Sequence, residues 1–221
     1  MTIWFATGNE HKRAELAAIL RAGGCGRELR IPRDAGLDFA PDETESSFHG
    51  NALLKAMALR GLLLASRADG FSDGDPVIAD DSGICVDALG GRPGLHSAMY
   101  AGPPGAELPD ALGLEAGERN ALLLGELGES PMRSARFVCA MALVLSPERF
   151  FVAQETLEGE IVRSARFAVG SGGFGYDPIF FVPALGRTVA ELSEDEKNII
   201  SHRGKAGARV AGILKGLGIG D

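Results

Sequence analysis

The chain has 221 residues, 45% of them hydrophobic and 24% charged, with a formal net charge of −8. This is ordinary globular composition, and the length suits one domain, 1–221, folded as two lobes around a cleft. The acidic balance argues against nucleic acid polymers as partners, because these bind through broad basic surfaces, whereas a small anion binds wherever a few cations converge.

Cys25, Cys85 and Cys139 are odd in number, far apart and without a C-x-x-C pair. They argue against a disulfide framework or a zinc site and fit a reducing cytoplasm, each thiol serving as a buried small hydrophobe. Met1-Thr2-Ile3-Trp4-Phe5 lacks the basic start of a signal peptide. No apolar run is long enough to cross a bilayer, so no membrane association is expected.

Thr2 to Ala6 is a short β-rich run that breaks at Thr7-Gly8-Asn9, and from Lys12 to Leu20 the apolar residues recur with helical spacing. Ser46 to Leu64 predicts a second helix, in which Phe48, Ala52, Lys55 and Leu59 share one side with Asn51. A lysine in such a stripe either snorkels to water or points into a polar site. Ser66 to Pro76 predicts an exposed loop, Val77 to Asp80 a strand ending in acid, and Pro103 to Pro109 another loop. Ala135 to Leu145 and Phe150 to Leu157 predict adjacent strands. Ser201 to Leu217 predicts a last helix, with Ser201 as N-cap and Gly218 as stop. Early alternation of strand and helix followed by clustered strands predicts an α/β protein with a mixed sheet.

Five segments can carry chemistry. Thr7-Gly8-Asn9-Glu10-His11-Lys12 places glycine, a helix N-terminus and a cation together, as an anion site requires; the alternative is an Asn9 N-cap with a surface lysine. Ala79-Asp80-Asp81-Ser82-Gly83 sets two carboxylates on opposite faces of a buried strand, where a cation offsets their charge. Hard oxygen ligands suit Mg²⁺, and the alternative is an Asp-Ser-Gly turn. Asp42-Glu43-Thr44-Glu45 is either a solvated acidic helix start or the source of a second metal ligand. Gly170 to Pro178 contains G-x-G-x-x-G, but Pro178 and Ile179-Phe180-Phe181 predict an extended segment rather than the helix of a dinucleotide fold. The run reads instead as a glycine loop displaying Phe174, Tyr176 and Asp177 to a base, or as a turn with core aromatics. Lys197 to Lys205 gathers Lys197, His202, Arg203 and Lys205 around a helix start, against the dipole preference for acids, so it is either a site for a phosphate or carbonyl-rich base or a solvated basic turn.

Together and in this order, these motifs resemble the inosine/xanthosine triphosphate pyrophosphatases, which clear deaminated purine nucleotides. The resemblance covers nearly the whole chain. It is carried by Thr7-Gly8-Asn9 with Lys12, Ala79-Asp80-Asp81-Ser82-Gly83, Gly172-Gly173-Phe174-Gly175-Tyr176-Asp177-Pro178 and Ser201-His202-Arg203-Gly204. It implies an α/β fold with a mixed, elongated β-sheet, flanking helices and two lobes around a central nucleotide-binding cleft, in a homodimer. Thr7, Gly8, Asn9, Glu10, His11 and Lys12 would hold the triphosphate, and Ser82 would also touch substrate. Asp81 would be general base and metal ligand, and Glu43 the other ligand to Mg²⁺. Phe174, Gly175, Tyr176 and Asp177 would hold the base, Phe174 by stacking, and Lys197, His202 and Arg203 would read its edge. The chain departs from the pattern at Glu10-His11, at Met99 where bacterial relatives often carry arginine, and in the stretches Ser66–Pro76 and Gly102–Gly117.

The expected reaction is attack of water on the α-phosphorus with pyrophosphate leaving, Lys12 and the catalytic Lys55 stabilising phosphate charge. Hypoxanthine and xanthine carry a carbonyl at position 6 where adenine carries an amino group, so fixed donors select between them. Two rivals share parts of the pattern. One is a related pyrophosphatase for modified pyrimidine or standard nucleotides. The other is a non-catalytic nucleotide sensor, which has no need of both Glu43 and Asp81.

Overall fold

The computed structural model describes residues 1–103, 114–170 and 173–220. Residues 104–109 of the expected second loop, most of Gly102–Gly117, and Ser171 and Gly172 lie outside the described residues. Among the described residues, seven strands form one mixed sheet: β1 (Ile3–Phe5), β2 (Leu29–Arg30), β3 (Val77–Val86), β4 (Ser134–Ser146), β5 (Arg149–Ile161), β6 (Phe180–Val182) and β7 (Arg187–Thr188). Their order is β2-β1-β3-β4-β5-β6-β7. β1 is parallel to both β2 and β3, while β6 is antiparallel to β5 and β7. The helices are α1 (Glu10–Ala22), α2 (Phe48–Ser66), α3 (Ala116–Leu127), α4 (Glu194–Ile200) and α5 (His202–Gly216). No described helix is long and apolar enough to cross a membrane.

The chain divides into two compact units. The first comprises Met1–Asp81, Cys139–Glu155 and His202–Asp221, the second Ser82–Val138 and Thr156–Ser201. In the first unit, strand alternation sends Ile3, Phe5 and Ile78 to one face of the sheet, where they meet Leu16 and Leu20 of α1 and Val210 and Leu214 of α5. Trp4, Ala6, Val77 and Ala79 point to the other face and pack on Ala52, Ala56, Leu59 and Leu63 of α2. The second unit has its own core, built from Ile84, Val86, Leu123, Phe137, Leu157, Ile179 and Phe180.

Three sequence expectations change. β3 does not end at its acids but continues to Val86, because both carboxylates find partners within the sheet's flanks. The Ser66–Pro76 stretch is anchored rather than simply exposed. Asp75 is buried and accepts hydrogen bonds from the backbone N–H groups of Thr2 at 3.0 Å and Ser72 at 2.8 Å, Phe71 meets Trp4 edge-on, and Asp73 pairs with the buried Arg60. Cys25 and Cys139 are buried as expected, but Cys85 is only partly so; all three are free thiols.

Gly159 in β5 is fixed by its neighbours. A Cβ there would lie 2.4 Å from the Phe180 ring and 2.5 Å from the Phe181 carbonyl oxygen. Gly159→Ala therefore forces β5 and β6 apart, and chemical denaturation should show a loss of about 1–3 kcal/mol. Unchanged stability would show that the two strands separate freely.

Candidate active site

In the first unit, Asp80 and Asp81 use the two faces of β3 for two different ion-pair systems. Asp80 follows Ile78 onto the side of α1 and α5. Lys12 Nζ reaches both of its oxygens at 3.1 Å, and Arg203 donates to Oδ2 from Nε at 3.2 Å and from Nη2 at 3.1 Å. Arg203 Nη1 also donates to Glu15 Oε2 at 2.8 Å. Burial alone would raise the Asp80 carboxyl, but the charges of Lys12, Arg203 and Lys55 prevail and hold it well below the usual carboxylate range. Asp80 is a charge already satisfied by protein cations.

Asp81 faces α2, where the helical spacing of Asn51 and Lys55 brings both side chains to it. Asn51 Nδ2 donates to Oδ2 at 3.2 Å, and Lys55 Nζ to Oδ1 at 3.3 Å. The same Nζ donates to Glu43 Oε1 at 2.9 Å. Lys55 is 8% exposed, so of the two sequence alternatives it takes the polar site and does not snorkel. Asn51 Oδ1 accepts from the Glu45 N–H at 3.0 Å, which ties the acidic segment before α2 to the strand. Burial raises the Asp81 carboxyl; the ammonium of Lys55 opposes this, and the nearby Glu43 charge adds to it. Lys55 is raised too: burial opposes its charge, but Asp81, Asp80 and Glu43 outweigh that.

The donor chemistry of this second system fits a divalent cation. Two hard carboxylates, Glu43 and Asp81, meet at one ammonium, whereas Asp80 is bound by two cations. Among the described residues no three His, Cys, Asp or Glu side chains cluster as a protein-only metal cage. Magnesium is commonly held by one or two carboxylates with substrate phosphates and water completing the shell.

The turn before α1 is organised by its own side chains. Asn9 Oδ1 accepts from the N–H groups of His11 at 2.9 Å and Lys12 at 3.2 Å, and Thr7 Oγ1 from the Asn9 N–H at 3.1 Å. Asn9 is thus an N-cap, while Lys12 turns inward to Asp80 rather than lying on the surface. Gly8, Asn9, Glu10 and His11 are exposed, and a Cβ on Gly8 would meet nothing within 4 Å. The exposed glycine leaves the backbone open to a ligand.

The second unit holds the glycine loop. Phe174 is exposed, with Lys197 Nζ 4.7 Å from its ring centroid. Asp177 Oδ2 accepts from Lys197 Nζ at 2.7 Å and from the Phe174 N–H at 2.8 Å. The loop does not display all three residues expected. Tyr176 and Asp177 are buried, and the Tyr176 hydroxyl donates to the Ser97 carbonyl at 2.8 Å. Pro178 sits in a 3-10 turn, Asp177–Ile179, and the extended segment begins only at Phe180. The Gly175 carbonyl accepts from Asn120 Nδ2 at 3.1 Å. Ser82 belongs to this unit and is half-buried on β3.

The basic run near residue 200 is divided. Lys197 lies in α4 and pairs within the second unit; Ser201 follows α4; His202 and Arg203 open α5 in the first unit, both buried. The sequence reading missed Glu15, Ser97 and Asn120. Glu15 was detectable in principle, three residues beyond Lys12 on the same helix face; Ser97 and Asn120 gave no local signal.

A family model described as the Ham1 family matches residues 3–212 of the chain. The chain belongs to the Ham1 family. It is 42% identical to the dITP/XTP pyrophosphatase of Treponema denticola over 216 residues, covering 98% of this chain and 100% of that protein. It is 45% identical to the dITP/XTP pyrophosphatase of Geobacillus kaustophilus over 210 residues, covering 92% and 89%. The Ham1 protein of Coxiella burnetii superposes with a TM-score of 0.78 at 34% identity, covering 98% of this chain and 99% of that one. The mixed sheet with flanking helices is therefore the Ham1 fold.

Proposed function

We propose that this Ham1-family protein is a single-domain nucleoside triphosphate pyrophosphatase. It hydrolyses non-standard purine nucleotides, the inosine and xanthosine triphosphates and their deoxy forms, to monophosphate and pyrophosphate. The observation that carries the reading is that Glu43 and Asp81, from segments far apart in the chain, meet at one buried ammonium. A nucleotide sensor has no use for two carboxylates brought to one point. Full-length relatives with the dITP/XTP pyrophosphatase activity support the substrate class.

Glu43 and Asp81 would hold Mg²⁺, which would supply neutralisation of phosphate charge and orientation of the triphosphate for in-line attack. Asp81 would also take the proton of the attacking water. Lys55 and Lys12 supply positive charge to the phosphates, and Thr7, Gly8, Asn9, Glu10 and His11 form the turn that receives them. Arg203, with Glu15, fixes Asp80 and through it the Lys12 ammonium.

In the second unit, Phe174 is the stacking face, framed by Gly175 and Tyr176, and Ser82 contacts substrate. Lys197, held by Asp177, donates to the 6-carbonyl of the base. An amino group at that position would meet a donor instead of an acceptor, a mismatch worth up to roughly 10⁴-fold in favourable sites. The protein works in the cytoplasm as a homodimer.

Turnover of inosine, xanthosine, guanosine and adenosine triphosphates, with and without Mg²⁺, tests the assignment. Pyrophosphate release confined to the first two and dependent on the metal is expected; preference for adenosine triphosphate, or binding without turnover, rejects it. Phe174→Ala should raise KM about tenfold with a smaller change in kcat, since base stacking contributes roughly 1–3 kcal/mol. An unaltered KM would remove Phe174 from the base site.

A further inference from the structure

We propose that the Lys55 ammonium is an internal competitor for the divalent ion, holding Glu43 and Asp81 together in the metal-free protein and leaving them when the ion binds. This rests on the reading of those two carboxylates as the metal ligands.

One nitrogen touches both acids, Glu43 Oε1 at 2.9 Å and Asp81 Oδ1 at 3.3 Å. A magnesium ion takes its oxygen ligands at about 2.0–2.1 Å. An ion bound by these two groups and an ammonium bonded to the same two oxygens would place two cations in contact in a partly buried site, where their repulsion is poorly screened. One of them has to move. Asp81 is fixed from its other side by Asn51 Nδ2 at 3.2 Å, and Asn51 also anchors the Glu45 backbone. The lysine, on a flexible four-carbon stem, is the part free to swing. Asp80, the remaining carboxylate whose charge acts on Lys55, is occupied by Lys12 and Arg203. The displaced ammonium is thus left to a ligand's own anionic oxygens. A triphosphate provides them and a bare ion does not, so the site takes up the metal preferentially as the metal–triphosphate complex.

The test uses Mn²⁺ as a spectroscopic substitute for Mg²⁺, without nucleotide, its binding to the full chain followed by electron paramagnetic resonance. Lys55→Met should bind Mn²⁺ about tenfold more tightly than the unaltered protein, a coupling ordinary for two linked sites. Glu43→Gln should abolish the binding in both backgrounds. Lys215→Met, which removes an exposed positive charge from α5, should change nothing. Lys55→Gln keeps hydrogen-bond donors without the charge and gives the same comparison should the methionine variant not fold. Equal or weaker binding by the Lys55 variants, with Glu43→Gln still abolishing it, overturns the competitor role and leaves the ligand assignment standing. Binding indifferent to Glu43→Gln, or absent in every variant, overturns both. An equal gain in Lys215→Met reduces the effect to net charge and also overturns the proposal.

Discussion

Asp81→Asn is expected to lower kcat by about 10³-fold while the protein stays folded, a loss within the range of a positioned general acid–base group. The amide has the same shape and keeps an oxygen toward Lys55 Nζ. Its weaker bond to Asn51 is offset by the removal of one of two like charges that share that lysine. What is lost is the anionic oxygen that accepts a proton and helps to bind the cation. Single-turnover hydrolysis of inosine triphosphate, with circular dichroism as the control for folding, measures the effect. Turnover within a factor of a few of the unaltered protein would transfer the chemistry to another group.

Arg203→Met should destabilise the protein by about 3–5 kcal/mol, because removing one member of a buried ion-pair network leaves its partners charged and unpaired. Arg203 is 1% exposed and is bound by Asp80 and Glu15, and without it Asp80 would keep the Lys12 ion pair and the charge of Lys55. At roughly 2–4 °C per kcal/mol for a chain of this size, Tm should fall on the order of ten degrees. The double variant Arg203→Met, Glu15→Gln should recover part of the loss by removing one of the stranded charges. Equal stability of the single variant and the unaltered protein would show that water reaches Asp80 and that the network is not buried in solution. A drop in activity at unchanged Tm would instead place the Arg203 side chain on the substrate.

These two outcomes separate adjacent residues of one strand. The cations that pair with Asp80 come from α1 and α5; the one that pairs with Asp81 comes from α2 and is shared with Glu43. The opposite-face rule for neighbouring strand residues already says that they differ. Their assignment needs the identity of the cations on each side, which come from positions 12, 55 and 203.

Much of the first unit was legible in the sequence because its signals are local. Ile3–Phe5, the capped turn at Asn9 and the apolar faces of α1 and α2 follow from strand alternation, hydrogen-bonding side chains at a helix start and a 3.6-residue period. Lys55 was marked by the incongruity of a cation within an apolar stripe. The extension of β3 past its acids was not legible, since a strand carrying two carboxylates reads as finished until the cations that neutralise them are known. Nor was the burial of Tyr176, whose hydroxyl partner, the Ser97 carbonyl, lies 79 residues away.

The sequence by itself determined the alternation of strands and helices, the glycine turn, the acid pair and the family to which they belong, because each is written within a few consecutive residues. Only the tertiary structure decided which cations each aspartate meets, that Lys55 stands between Glu43 and Asp81, and that Lys197 and Arg203 serve different units despite their closeness in the chain. These are properties of charge and distance between segments brought together by folding. Coulomb energy depends on separation in space and on burial, and neither quantity is encoded in residue spacing.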